Sequence, residues 1–144
     1  MHQSRGNLLL GLSLLLAAAL ACNFSATTAN ISSLKLGKDK NMSQQTNHFG
    51  PRDTIYGVAE ISNVPDKVQV KGRLVVDDVE GQEVGPIPGL EDTVELGGSG
   101  TATFTFSPPT AGWPKGRYKM EILLLTEAGE QKDQETAGFA VSSD

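Results

Sequence analysis

One thiol, two imidazoles and a run of carboxylates are the groups in this chain that could do chemistry. The thiol is Cys22, the sole cysteine, so neither a disulfide within the chain nor a multi-cysteine zinc site can form. The imidazoles are His2, in the first residues, and His48, in a polar segment. A Ser-His-Asp arrangement would have to recruit His48 from that segment, and a cysteine nucleophile would have to be Cys22. Neither is promising, and the chain is expected not to be an enzyme. The carboxylates are Asp77, Asp78, Glu80, Glu83, Glu91, Asp92 and Glu95, within a stretch that contains no Lys or Arg. Calcium takes roughly six to eight oxygen ligands, often carboxylates from loops. Asp77, Asp78 and Glu80 are therefore calcium candidates. EF-hand spacing is absent, and a solvated acidic face has the same composition. No other metal or cofactor is expected.

The place of Cys22 gives its thiol a use. Arg5 and the amino terminus precede residues 8–20, LLLGLSLLLAAAL, which carry no charge. That apolar run is too short to span a bilayer core of about 30 Å as a helix. It ends in Ala19-Leu20-Ala21, directly before Cys22. This arrangement resembles the bacterial lipoprotein signal. The resemblance implies that residues 1–21 are a removed signal peptide and that diacylglycerol alkylates the Cys22 thiol. Fatty chains such as palmitate would then hold the protein, each buried CH₂ contributing about 0.8 kcal/mol. The family favours Leu three positions before the cysteine; here Ala19 stands there and Leu20 lies one place nearer. Asn23, rather than Asp, follows the cysteine, as in cargo sent to the outer membrane of double-membraned bacteria. The expected location is the cell envelope, facing outward or into the periplasm.

Charge limits the partners. The whole chain has a formal net charge of −5, and loss of Arg5 with the signal leaves 11 basic residues against 17 acidic ones. Such a chain lacks the clustered Lys and Arg that grip nucleic acid phosphates. It would not adhere to anionic lipid by charge either, so its contact with the membrane is expected to be covalent. A protein or an envelope polymer is the remaining kind of partner.

The elements that must position any site are strands. Residues 22–48, the lipidated cysteine and a polar tether, are rich in Ser, Thr, Asn and Gln; within them residues 31–37 alternate well enough to be a candidate first strand. Three Asn-x-Ser sequences, at Asn23, Asn30 and Asn41, are read as a product of that composition. From about Asp53 a period of two sets in. Ile55, Gly57, Ala59 and Ile61 alternate with Tyr56, Val58 and Glu60, and Val68, Val70, Gly72, Leu74 and Val76 follow the same rule. Residues 101–106 alternate Thr with Ala or Phe, and Tyr118, Met120, Ile122 and Leu124 form the clearest apolar row. A turn near Gly129 and a last strand at Ala137, Phe139 and Val141 complete the chain, with weaker strands expected at 82–85 and 93–96. This pattern predicts an all-β antiparallel sandwich of about seven strands over residues 49–144.

Gly112-Trp113-Pro114-Lys115-Gly116-Arg117-Tyr118 leads into the strongest strand. It resembles the stretch before the penultimate strand of small bacterial immunoglobulin-like and fibronectin-III-like lipoprotein domains. The resemblance implies an immunoglobulin-like sandwich in which Tyr118 ties its hydroxyl to an upstream backbone group, with Gly116 and Trp113 shaping the turn. Trp113 is also the one tryptophan that could meet a partner. The expected function is a lipid-anchored, non-catalytic binding or assembly module. The alternative is an accessory subunit or inhibitor of a secreted or envelope enzyme, acting through a sheet edge or loops.

Overall fold

The structure, a computed structural model, describes residues 29–143. Residues 1–21, expected to be a signal peptide, and Cys22 lie outside the described residues. Eight strands follow one another: β1 (Asn30–Gly37), β2 (His48–Phe49), β3 (Ile55–Ser62), β4 (Val68–Val79), β5 (Gly85–Leu96), β6 (Gly100–Phe106), β7 (Gly116–Thr126) and β8 (Gln131–Val141). They form a three-stranded sheet in the order β1-β3-β6 and a five-stranded sheet in the order β2-β8-β7-β4-β5. All neighbours are antiparallel except β2, which runs parallel to β8 through His48 opposite Ala140 and Phe49 opposite Val141. This is the immunoglobulin-like arrangement: A, B and E strands in one sheet, and C′, C, F and G in the other, with a short A′ strand beside G.

The period of two produces this fold because alternate side chains fall on opposite sheet faces. In β7, Tyr118, Met120, Ile122 and Leu124 are all buried; in β6, Ala102, Phe104 and Phe106 are buried while Thr101, Thr103 and Thr105 are exposed. Two glycines set how closely the sheets approach. A Cβ on Gly72 of β4 would lie 2.5 Å from Phe104 of β6, and one on Gly57 of β3 would strike the sulfur of Met120 in β7. On the third tier, the amide of Ile31 in β1 donates to Asp133 of β8 at 2.8 Å. Thus β1 stacks on β8, β3 on β7 and β6 on β4. The outermost strands of the larger sheet, β2 and β5, extend beyond the smaller one.

The structure decides several points that the sequence leaves open and changes one. Residues 31–37 do form a strand, and it pairs with β3 from Asn30 opposite Ser62 to Gly37 opposite Tyr56, so the sandwich starts well before residue 49. Residues 38–47 are a folded loop, not a loose spacer. Asp39 accepts hydrogen bonds from the Ser43 hydroxyl at 2.6 Å and the Gln44 amide at 2.8 Å, and Thr46 donates its amide to Leu36. Of the strand expected at 82–85, residues 82–84 belong to a turn, in which Gln82 donates its amide to Val79 and Gly81 has φ +79°, and Gly85 opens β5. The strand expected at 93–96 is present as the end of β5.

Candidate functional site

The turn into β7 is built from local geometry. Gly116 has φ +147°, and a Cβ there would sit 2.5 Å from the carbonyl oxygen of Asp78, so no other residue fits without displacing β4. Two residues later Tyr118 points inward, and its hydroxyl donates to the Pro114 carbonyl at 2.5 Å. Its ring stacks on Phe139, with centroids 5.4 Å apart, and Phe139 meets Phe49 edge-on. Burial pushes the Tyr118 phenol above its ordinary pKa.

Trp113 locks the same turn to the segment before β3. Its indole Nε1 donates to the Asp53 carbonyl at 2.7 Å, and its amide donates to Pro51 at 2.8 Å. Arg52 reaches across to the Thr110 carbonyl at 2.5 Å. The Asp53 carboxylate accepts from the Gly50 amide at 2.7 Å and lies 3.2 Å from the Lys38 ammonium, contacts that hold its pKa below the usual carboxylate range. Trp113 retains only 3 % of its exposure. This burial fits the structural role expected of Trp113, whose indole is committed to Asp53, and leaves little of the ring for the possible partner contact.

The calcium candidates do not converge. Asp77 lies 3.6 Å from Lys119, and Asp78 lies 3.6 Å from Arg117, each across to β7. Glu80 is exposed in the turn that follows β4. Among the described residues no three His, Cys, Asp or Glu side chains gather as a metal site would require. The one histidine among the described residues, His48, is exposed and shares a hydrogen bond at 2.7 Å with Asn47. The hollow beside it is lined by Asn47, Asp77, Arg117, Tyr118, Gly138, Phe139 and Ala140, and its one hydroxyl already serves Pro114.

The feature that sequence reading missed lies on the flank formed by β5 and β6. None of the twelve residues of β5 is buried. Yet Val94 stands opposite Val70 and Leu96 opposite Val68, so both share the inward face of the larger sheet. They are partly buried against the core but not covered, because β6 covers β4 and the smaller sheet stops there. Above β5 the position of a fourth strand is open. Alternation in residues 93–96 was a weak signal of this, but only the stacking of the two sheets reveals it.

No protein-family model and no curated protein matches the chain. Among solved structures it is similar to the PmoD soluble domain from Methylocystis sp. ATCC 49242 (Rockwell), with 14 % identity and a TM-score of 0.44 over 76 % of this chain and 89 % of that one. It is similar to a Niemann-Pick type C2 protein from Japanese carpenter ant, with 14 % identity and a TM-score of 0.49 over 79 % of this chain and 92 % of that one. A β-glucosidase from Listeria innocua in complex with glucose matches 77 % of this chain with 16 % identity and a TM-score of 0.44, but the match spans 16 % of the enzyme.

Proposed function

We propose that this chain is a lipid-anchored protein of the bacterial cell envelope whose immunoglobulin-like sandwich is a non-catalytic binding or assembly module. The observation that carries this reading is the position of Cys22 after an uncharged apolar run and seven residues before Ala29, where the described sandwich begins. Whatever shape the intervening residues take, they span at most about 25 Å. The twelve-residue strand β4 is about 40 Å long. A lipid on Cys22 would hold the sandwich at the membrane surface on a connection shorter than the domain itself.

The test is direct. Intact-mass measurement of the protein from membranes should show a chain beginning at Cys22 and carrying diacylglycerol. Cys22→Ser should leave unprocessed precursor or move the protein to the soluble fraction. A processed chain with a free Cys22 thiol would defeat the reading.

The alternative of an accessory subunit that grips an enzyme through a sheet edge is favoured by one observation. The outer edge of β6 carries none of the devices that usually keep an edge from pairing.

A further inference from the structure

We propose that the open position beside β6 is an acceptor slot for one extended strand of a partner protein, and that this strand carries apolar residues in alternation and a cation near one end. The inference deepens the reading of the chain as a binding module by naming the surface and the chemistry of what it takes.

The sheet edges differ sharply. β5 is interrupted by Pro86, Pro88 and a register shift opposite Leu74, and its later half carries Glu91, Asp92 and Glu95. β2 has two residues. β1 has a register shift between Ile31 and Ser33, carries Lys35, and gives its Ile31 amide to Asp133. These are ordinary means of blocking an added strand. β6 has none of them. Gly100-Thr101-Ala102-Thr103-Phe104-Thr105-Phe106 contains no charge and no proline, and its register with β3 runs unbroken from Gly100 opposite Ile61 to Phe106 opposite Ile55. Its far edge presents backbone donors and acceptors that pair with no other strand.

The slot has a floor as well as a wall. A strand added to β6 at the usual spacing of about 4.8 Å would lie over β5, one sheet separation of about 10 Å away. Its inward side chains would meet Leu96, Val94 and Asp92 in turn. Asp92 stands opposite Gly72, whose missing side chain faces Phe104, so it shares the inward face with Val94 and Leu96. Among the described residues no Lys or Arg pairs with it. An apolar row of Leu90, Val94 and Leu96, broken by a carboxylate that meets the Thr93 amide but no cation, selects a strand whose inward residues are apolar and whose residue over Asp92 is Lys or Arg.

The geometry also excludes other occupants. A second copy pairing β6 to β6 would bring its own β4 beneath that strand, into the space that β5 fills. The six residues between Cys22 and Ala29 are fewer than the seven of β6, and they would have to cross β1 and β3 first. A single strand, unaccompanied by a second sheet beneath it, fits.

The test uses the full chain, purified from membranes in detergent, with the mass at Cys22 measured on the same sample so that the anchor is judged separately. The probe is the peptide acetyl-Thr-Lys-Thr-Val-Thr-Val-Thr-amide, which places Lys over Asp92 and two Val residues over Val94 and Leu96 when antiparallel to β6. Bound peptide should slow amide hydrogen exchange in Gly100–Phe106 and leave Asn30–Gly37 unchanged. Asp92→Lys, a change at an exposed position, should weaken binding of this peptide about tenfold, and a peptide with Glu in place of Lys should restore it. Protection of no strand, protection of Asn30–Gly37 instead, or equal binding of the Lys peptide to both proteins would overturn the proposal.

Discussion

The hydroxyl of Tyr118 donates to the carbonyl of Pro114, four residues upstream, and closes the turn at Gly116 between them. The ring is buried and stacked on Phe139, which holds the hydroxyl on that carbonyl. Tyr118→Phe keeps the packing and should cost about 1 kcal/mol, rising to about 3 if the Pro114 carbonyl finds no other donor. Tyr118→Ala adds a cavity and should cost roughly 3–5 kcal/mol. Urea unfolding at neutral pH measures both. Alkaline pH supplies a second reading. The folded phenol has a pKa above the ordinary value of 10.0, so an unfolded chain ionises first as pH rises. Stability contributed by Tyr118 is whole below pH 10 and should fall as pH climbs from there through the folded value, and Tyr118→Phe should lose that part of the decline.

Gly72→Ala tests the spacing of the sheets. The new methyl would lie 2.5 Å from the ring of Phe104, which is fully buried. Alanine suits a strand better than glycine, yet overpacking should dominate and destabilise the domain by about 1–3 kcal/mol. Phe104→Leu in the same chain should recover part of that loss. A thermal-denaturation cycle of both single variants and the double variant would show the coupling; strictly additive losses would mean the methyl is accommodated elsewhere.

Asp39 organises the loop between β1 and β2. Its carboxylate receives the Ser43 hydroxyl and the amides of Ser43 and Gln44, and these bonds hold its pKa below the usual carboxylate range. Limited proteolysis should therefore spare residues 38–47. Asp39→Ala should open the loop to cutting. Order that depends on the charged form is present above the ordinary carboxylate pKa and is lost as pH falls through the lowered folded value, so cleavage of the loop by an acid protease should rise there. Rapid cutting within residues 38–47 of the wild-type chain at neutral pH would contradict this account.

Alternation made β3, β4, β6 and β7 legible in the sequence because each has one face against the other sheet and one against solvent. Tyr118 and Gly116 were legible for a related reason: the turn chemistry stands directly before the strongest apolar row. The loop at 38–47 was hidden because side-chain hydrogen bonds from Asp39 hold it, and these leave no periodic trace. β5 is legible only at its end, residues 93–96, because Pro86, Pro88 and Gly89 interrupt its first half, while Val94 and Leu96 have no strand above them to require a longer apolar row. The stacking that leaves them uncovered depends on which strands oppose one another, a relation between residues far apart in the chain.

β5 also bears on how the molecule breathes. It is held by β4 along one side and by half-exposed side chains beneath an open flank, whereas every other strand contributes at least one buried residue. Local opening of β5 therefore needs less free energy than unfolding of the whole sandwich. Its amides should exchange by partial unfolding while those of β7, enclosed by β4 and β8, wait for the global event. A strand seated in the slot would join β5 to the cooperative unit, and binding would register first as lost fluctuation on this flank, with little change in the shape of the domain.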